Sequence, residues 1–292
     1  MRVVLYYLVV LTTALLPRYS LPMDASPSNH GRGLLWEISA PGMLPSYVFG
    51  TMHSADRRVI ATLEHIRPSL HKVSMVCTEI LFDFRTLGKV NNVMFFHDGR
   101  TLSPLIGRGL FERSAQALTH YGYNRDKANQ MKPWAVILIL SYPDTEVDSL
   151  DEQIADEAAL SQKKVCGLED VTEQANAFNG LSMHEQISLL RETLAQLPNL
   201  EQMYQELIGH YVARNLDGIV KLSEKYAFSD KKLMDKFMYR LVDERNERMI
   251  RRMIPRMRQG SVLFAVGALH LPGQNGLLSL LEIEGFTVKP VY

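Results

Sequence analysis

Short apolar runs rich in strand-forming residues occur near both ends of the chain, and most are separated by helical sequence. The runs are LLWEIS (Leu34–Ser39), SYVFGTMH (Ser46–His53), VSMVCTEI (Val73–Ile80), KKVCGL before Glu169, SVLFAVGALH (Ser261–His270) and FTVKPVY at the end. Short strands that alternate with helices are typical of a partly parallel sheet covered by helices. The Pro-Gly in the connector APGMLP predicts a hairpin between the first two runs, which makes the sheet mixed.

The middle of the chain reads as helical. Residues from about 99 to 161 include the apolar segment PWAVILIL, in which Pro133 stands at a favourable first helical position. Long amphipathic segments then continue to about Arg258. Because similar strands come from both ends of the chain, we predict an α/β fold. It consists of a single domain over residues 34–292, with a mixed β-sheet covered by helices and a helical insertion in the middle of the chain.

The first residues predict a leader for export. Arg2 precedes an apolar run from Val3 to Leu16, which Pro17 ends. The run is shorter than the roughly 17–25 residues of a membrane-spanning helix and matches the apolar core of a signal peptide. We predict a signal peptide over residues 1–25, an extracytoplasmic (secreted or periplasmic) protein, and no stable membrane span after its removal. An uncleaved anchor and a core helix are the alternatives.

Charge and cysteine content limit the classes of partner. Lys and Arg together number 32, as do Asp and Glu, so the formal net charge is 0. A balanced chain lacks the basic surface typical of nucleic-acid binders, and we predict no nucleic-acid partner. The two cysteines, Cys77 and Cys166, lie inside apolar runs, where either a disulfide or two buried thiols is consistent with the sequence. The oligomeric state is not indicated.

Two of the apolar runs end in the same pattern, Gly-x-x-His. Gly50 precedes His53 by three residues, and Gly267 precedes His270 in the same way. A glycine allows positive φ or close backbone approach where a strand turns at a sheet edge, and the histidine then stands where open α/β folds bind ligands. Each histidine is also consistent with a hydrogen-bonded loop residue that has no catalytic role.

Two glutamates stand at equivalent places, since Glu79 ends VSMVCTEI and Glu169 follows KKVCGL. A carboxylate at the end of a buried strand is costly to ionise unless it is paired or binds a cation. Solvent-facing or helix-capping roles are the alternatives. Two imidazoles and two carboxylates form a mixed nitrogen and oxygen set that suits Mn, Co, Zn or Fe.

These motifs resemble, in order, those of the TraB/GumN family, to which the Tiki metalloproteases also belong. The resemblance rests on LLWEIS…SYVFGTMH, on KKVCGLE followed by TEQ, on Asp151, on the pair Arg245-Asn246, and on FAVGALHLPGQNGLLSLLEIEGFTVKPV. It covers the chain from about Leu34 to Tyr292. It implies a metal-dependent protease whose active site consists of the Gly-x-x-His histidines and the glutamates.

The resemblance therefore favours an exported metal-dependent hydrolase, a peptidase that acts on peptides or extracellular proteins. In this interpretation His53, His270 and Glu169 hold a divalent ion, Glu79 is the general base, and Arg245 stabilises the oxyanion from the rim of the cleft. The two glutamates can also exchange roles. Two other functions stay open: a haem- or peptide-sequestering protein without turnover, and a metal-free ester hydrolase with His53 as base.

Overall fold

A computed structural model describes residues 30–81, 84–141, 148–226 and 229–292. The predicted signal peptide lies outside these ranges. The strands are β1 (Leu35–Ser39), β2 (Ser46–Thr51), β3 (Met75–Ile80), β4 (Lys164–Glu169), β5 (Val262–Gly267) and β6 (Thr287–Pro290). The helices are α1 (Arg57–Ile60), α2 (Leu63–Lys72), α3 (Phe84–Met94), α4 (Leu102–Ile106), α5 (Arg108–Leu118), α6 (Arg125–Asn129), α7 (Pro133–Leu140), α8 (Leu150–Leu160), α9 (Val171–Asn179), α10 (Met183–Gln196), α11 (Leu200–Val212), α12 (Leu216–Lys225), α13 (Lys231–Met238), α14 (Glu244–Gln259) and α15 (Leu277–Ile283).

The six strands form one mixed sheet in the order β4-β3-β5-β2-β1-β6. Strands β4, β3, β5 and β2 run parallel, and β1 is antiparallel to both β2 and β6. The predicted hairpin is confirmed, with Gly42 in its connector at φ +76°. The α/β fold with a mixed sheet, a single domain and a helical middle is confirmed as well.

The local sequence explains where the main elements begin. Pro133 starts α7, whose side chains are all buried, as expected for a helix that is apolar on every face. Ser149 and Glu152 form a reciprocal capping box at the start of α8, and Asp170 and Glu173 do the same for α9. A single π-helical turn, Tyr239–Asp243, joins α13 to α14.

The two cysteines form a disulfide between neighbouring parallel strands. Cys77 of β3 and Cys166 of β4 are directly paired in the strand register, with their Cα atoms 4.5 Å apart. Of the two possibilities left open by the sequence, the disulfide is confirmed. It ties together the two strands that end in Glu79 and Glu169.

Candidate active site

The carboxyl ends of four parallel strands meet at one edge of the sheet. Glu79 and Glu169 stand at the ends of β3 and β4, which neighbour each other. The next two strands, β5 and β2, lead into the two Gly-x-x-His turns that carry His270 and His53. The topology thus places all four predicted side chains at the same edge.

Arg245 joins the two glutamates. Its Nη2 donates to Glu79 Oε2 at 2.5 Å and its Nε donates to Glu169 Oε2 at 2.8 Å. All three side chains are at most 3% exposed. Burial disfavours the guanidinium charge, but attraction by Glu169 and Glu79 raises the pKa of Arg245 above its usual value. A fully buried ion cluster therefore forms the centre of the site.

The π-helical turn before α14 helps to hold Arg245. The Nη1 of Arg245 donates at 3.1 Å to the backbone oxygen of Leu241, which lies inside that turn. Such turns displace the residues that follow and are frequent at functional sites. The distortion therefore lies directly beside the residue that neutralises both carboxylates.

The two glutamates differ in their remaining partners. Glu79 Oε1 accepts the backbone N–H of Gly267 at 2.6 Å, and Glu79 Oε2 also accepts from Gln174 at 3.2 Å. Glu169 Oε1 pairs with the guanidinium of Arg248. Both oxygens of Glu169 are therefore bound by arginine, whereas one oxygen of Glu79 faces the second Gly-x-x-His turn.

His270 is fully buried beside Glu79. Its Nδ1 lies 2.6 Å from Asn246 Oδ1, and its Nε2 lies 3.7 Å from Glu79 Oε1. Among the residues that the structure describes, Nε2 has no hydrogen-bond partner. Burial, with the nearby charge of Arg245, lowers the pKa of His270 well below its usual value, so the imidazole is neutral at pH 7.

His53 belongs to a neighbouring polar group. Its Nδ1 lies 3.5 Å from Asp151 Oδ2, and the hydroxyl of Thr51 donates to the other oxygen of Asp151 at 2.6 Å. The His53 side chain is 11% exposed. Its position is thus set by Asp151, which comes from the start of α8.

The two Gly-x-x-His turns pack directly against each other. A Cβ at Gly50 would lie 3.1 Å from the Ala268 Cα and 2.8 Å from a methyl group of Leu271. Tyr211 donates a hydrogen bond of 2.8 Å to the backbone oxygen of Gly50. Position 50 therefore requires glycine because the two turns approach each other closely, which is one of the two interpretations that the sequence allows.

The structure corrects one expectation and adds several partners. Arg245 is not at the rim of a cleft but is 3% exposed, because two buried carboxylates require a buried counter-charge. In the sequence, Gln174, Asn246 and Asp151 stand out only as parts of the family motifs. In the structure, each of them contacts a predicted site residue. Arg248 is absent from the sequence-based interpretation, and only its place on the helix of Arg245 could have indicated it.

Two side chains of the site, His270 and Glu79, suit a divalent ion. His270 presents a buried nitrogen without a hydrogen-bond partner among the described residues, 3.7 Å from a carboxylate oxygen. Neutral imidazole and carboxylate are ordinary ligands of such ions, so this pair fits. Within residues 30–81, 84–141, 148–226 and 229–292, no three His, Cys, Asp or Glu side chains are already grouped as a complete ligand set. The Glu169 carboxylate would add a further ligand to this pair, but Arg245 and Arg248 already bind it.

Known proteins resemble this chain over most of its length. It is 25% identical to "Metalloprotease TIKI2" of Danio rerio over 87% of the chain and 60% of that protein. "Metalloprotease TIKI1" of Xenopus tropicalis gives the same three percentages, and "Metalloprotease TIKI1" of Homo sapiens is 24% identical over 87% and 61%. The chain spans about 60% of the length of these relatives. No solved structure matches it.

These three relatives are all named metalloproteases. The model of the TraB/PrgY/gumN family matches residues 34–290, which include every strand and all five predicted site residues. This range agrees with the extent of the resemblance seen in the motifs. The chain therefore belongs to the TraB/PrgY/gumN family.

Proposed function

We propose that the protein is an exported metal-dependent hydrolase, a peptidase that acts on peptides or extracellular proteins. The observation that carries the proposal is the buried pair of His270 Nε2 and Glu79 Oε1, 3.7 Å apart. The imidazole is neutral, and Nε2 has no hydrogen-bond partner among the described residues. A cation held by His270 and Glu79 would give Nε2 the partner that it lacks among the described residues. The relatives named metalloproteases support the same class.

His270 and Glu79 would hold the divalent ion, with His53 from the adjoining turn as a further ligand. This arrangement differs from the sequence-based preference for Glu169, because both Glu169 oxygens already bind arginine side chains. When bound, Mn, Co, Zn or Fe supplies Lewis-acid activation of water and of a substrate carbonyl. The mixed nitrogen and oxygen set does not choose among these metals.

The chain's own residues would organise the charges around this position. Arg245 neutralises Glu79 and Glu169, and its burial makes it a structural counter-charge rather than an oxyanion donor at the surface. One carboxylate would accept the proton of the attacking water. The variants Glu79→Gln and Glu169→Gln separate the two roles. Loss of bound metal identifies the ligand, and loss of turnover with metal retained identifies the base.

Elemental analysis combined with a peptide-library cleavage assay tests the proposal. We expect about one equivalent of a divalent metal per chain, cleavage of some peptides, and loss of that cleavage after chelation with recovery on metal addition. His184 is exposed on α10 and makes none of the contacts described for this site, so His184→Gln is the matched control for histidine replacement. Cleavage that survives exhaustive chelation would contradict the metal-dependent function.

A metal-free ester hydrolase is the second candidate, favoured by the contact of 3.5 Å between His53 and Asp151. A carboxylate beside an imidazole orients the ring, as hydrolases that use a histidine as general base require. Hydrolysis of esters that is insensitive to chelators and lost in His53→Gln would support this function. The haem-binding alternative requires an apolar pocket beside an axial ligand, whereas His270 is flanked by Glu79 and Asn246.

Export is proposed from the leader together with the disulfide. Disulfides persist in oxidising compartments, and Cys77–Cys166 is formed here. In the described part of the chain, no helix is both long enough and apolar enough to cross a membrane. N-terminal sequencing of the mature protein tests the leader, which we expect to end at Ala25. A mature chain that still begins at Met1 would contradict a cleaved signal peptide.

A further inference from the structure

Asn246 lies on α14 beside Arg245 and is completely buried. Its Nδ2 donates to the backbone oxygen of Asn275 at 2.8 Å and to the backbone oxygen of His270 at 3.3 Å. Its Oδ1 lies 2.6 Å from His270 Nδ1. The single carboxamide therefore contacts the backbone and the ring of the same histidine.

The two backbone oxygens determine how the carboxamide is oriented. A carbonyl oxygen only accepts hydrogen bonds, and an amide nitrogen has two hydrogens to donate. Rotation of the amide by 180° would direct Oδ1 at two other oxygens and leave both of them unsatisfied in a buried place. The Asn246 oxygen must therefore be the atom that faces the imidazole.

The orientation of the amide in turn determines the tautomer of His270. Because Oδ1 only accepts, the contact of 2.6 Å requires a proton on Nδ1. A neutral imidazole has one ring proton, so Nε2 then carries the lone pair. That lone pair lies on the side of Glu79 Oε1. An imidazole with its lone pair on Nε2 is in the form that binds a metal ion or accepts a proton from a substrate through that nitrogen.

We propose that Asn246 is a positioning residue that holds a ring proton of His270 on Nδ1, so that Nε2 is the nitrogen that presents a lone pair to the site. The use of that lone pair for a metal rests on the proposed function. The tautomer itself does not, since it follows from contacts within the chain. Metal-free protein is therefore the sample in which the proposal is tested first.

Nitrogen-15 NMR of the histidine rings in metal-free protein, at a pH where His270 is neutral, measures the tautomer. The unprotonated nitrogen of His270 should couple to both carbon-bound ring protons, which identifies it as Nε2; His270→Gln identifies the signals by their loss. Asn246→Leu removes the acceptor, and we expect both tautomers to be populated. Because leucine has a similar volume, a purely space-filling role of Asn246 would instead predict the wild-type pattern in Asn246→Leu.

The matched control is Asn275→Ala, which removes the neighbouring side chain but leaves the backbone oxygen that Asn246 binds. We expect the wild-type tautomer in this control. Two results would overturn the proposal: a proton on Nε2 of His270 in the wild-type protein, or an unchanged tautomer in folded Asn246→Leu. If that variant does not fold, the wild-type spectrum alone decides. Calorimetry with Zn²⁺ should show affinity lower by about 10- to 100-fold in Asn246→Leu. The proposed tautomer without Zn²⁺ binding in the wild type would contradict the metal-dependent function alone.

Discussion

Arg245 donates a hydrogen bond of 2.5 Å to Glu79, and both side chains are at most 3% exposed. A buried carboxylate without a counter-charge is far more costly than a buried pair. The same guanidinium also serves Glu169 at 2.8 Å. The ion cluster at the carboxyl ends of β3 and β4 therefore depends on one arginine side chain, which α14 supplies.

Arg245→Met should destabilise the protein by about 3–5 kcal/mol, because it leaves Glu79 buried without its counter-charge. Urea unfolding measures this change in the free energy of unfolding. Adding Glu79→Gln to Arg245→Met should recover part of the loss, since it removes the uncompensated charge. Arg251 is 68% exposed, so Arg251→Ala is the control and should change stability by less than about 0.5 kcal/mol. Equal stability of Arg245→Met and wild type would contradict the ion cluster as described.

Replacing Cys77 and Cys166 together with serine should lower the free energy of unfolding by about 2–5 kcal/mol. The bridge joins residues 89 apart in sequence, and a long closed loop restricts the unfolded chain. Unfolding of the double variant and of wild type, each under oxidising and reducing conditions, measures the effect. Only the wild type should respond to reductant. A wild type that is insensitive to reductant would show that the cysteines are thiols.

Replacing either Gly-x-x-His histidine with glutamine should remove bound metal and turnover while the protein stays folded. Glutamine can still donate to Asn246 from position 270, so His270→Gln avoids an unpaired acceptor in the core. Metal content by elemental analysis, with circular dichroism for folding, measures both effects. The exposed His184→Gln should retain full metal content. Stoichiometric metal in both His53→Gln and His270→Gln would show that the ion lies elsewhere.

Glu173 should contribute stability that depends on pH. Hydrogen bonding to Arg252 lowers the pKa of Glu173 from 4.5 to about 2. Because the folded pKa is lower, the contribution is complete above pH 4.5 and disappears as the pH falls towards 2. Glu173→Gln keeps the capping side chain of α9 but loses the charge, so it should be less stable by about 1 kcal/mol or less after solvent screening. Urea unfolding from pH 7 to pH 3 should show this difference shrinking below pH 4.5. A difference that is constant with pH would contradict the ion pair.

The positions of the strand ends could be predicted from the sequence, whereas the contacts between the side chains at these ends could not. Glycine before His53 and apolar residues before Glu79 are local signals, and they place both residues correctly at the edge of the sheet. The burial of Arg245 depends on two carboxylates more than 70 residues away in sequence, and a charged helix gives no sign of it. The strand predicted to reach His270 ends at Gly267, because the last three residues turn to bring the imidazole beside Glu79.

The order of the strands has a consequence for how the chain acquires its structure. The first hairpin, β1 and β2, lies between β5 and β6, which come from the last residues of the chain. Until β5 and β6 have been synthesised, both sides of this hairpin lack their neighbours. Contacts so distant in sequence form slowly, and unpaired strand edges attract other chains. The sheet of this protein is thus completed only after residue 290 has been synthesised, because β6 supplies the last neighbour of β1.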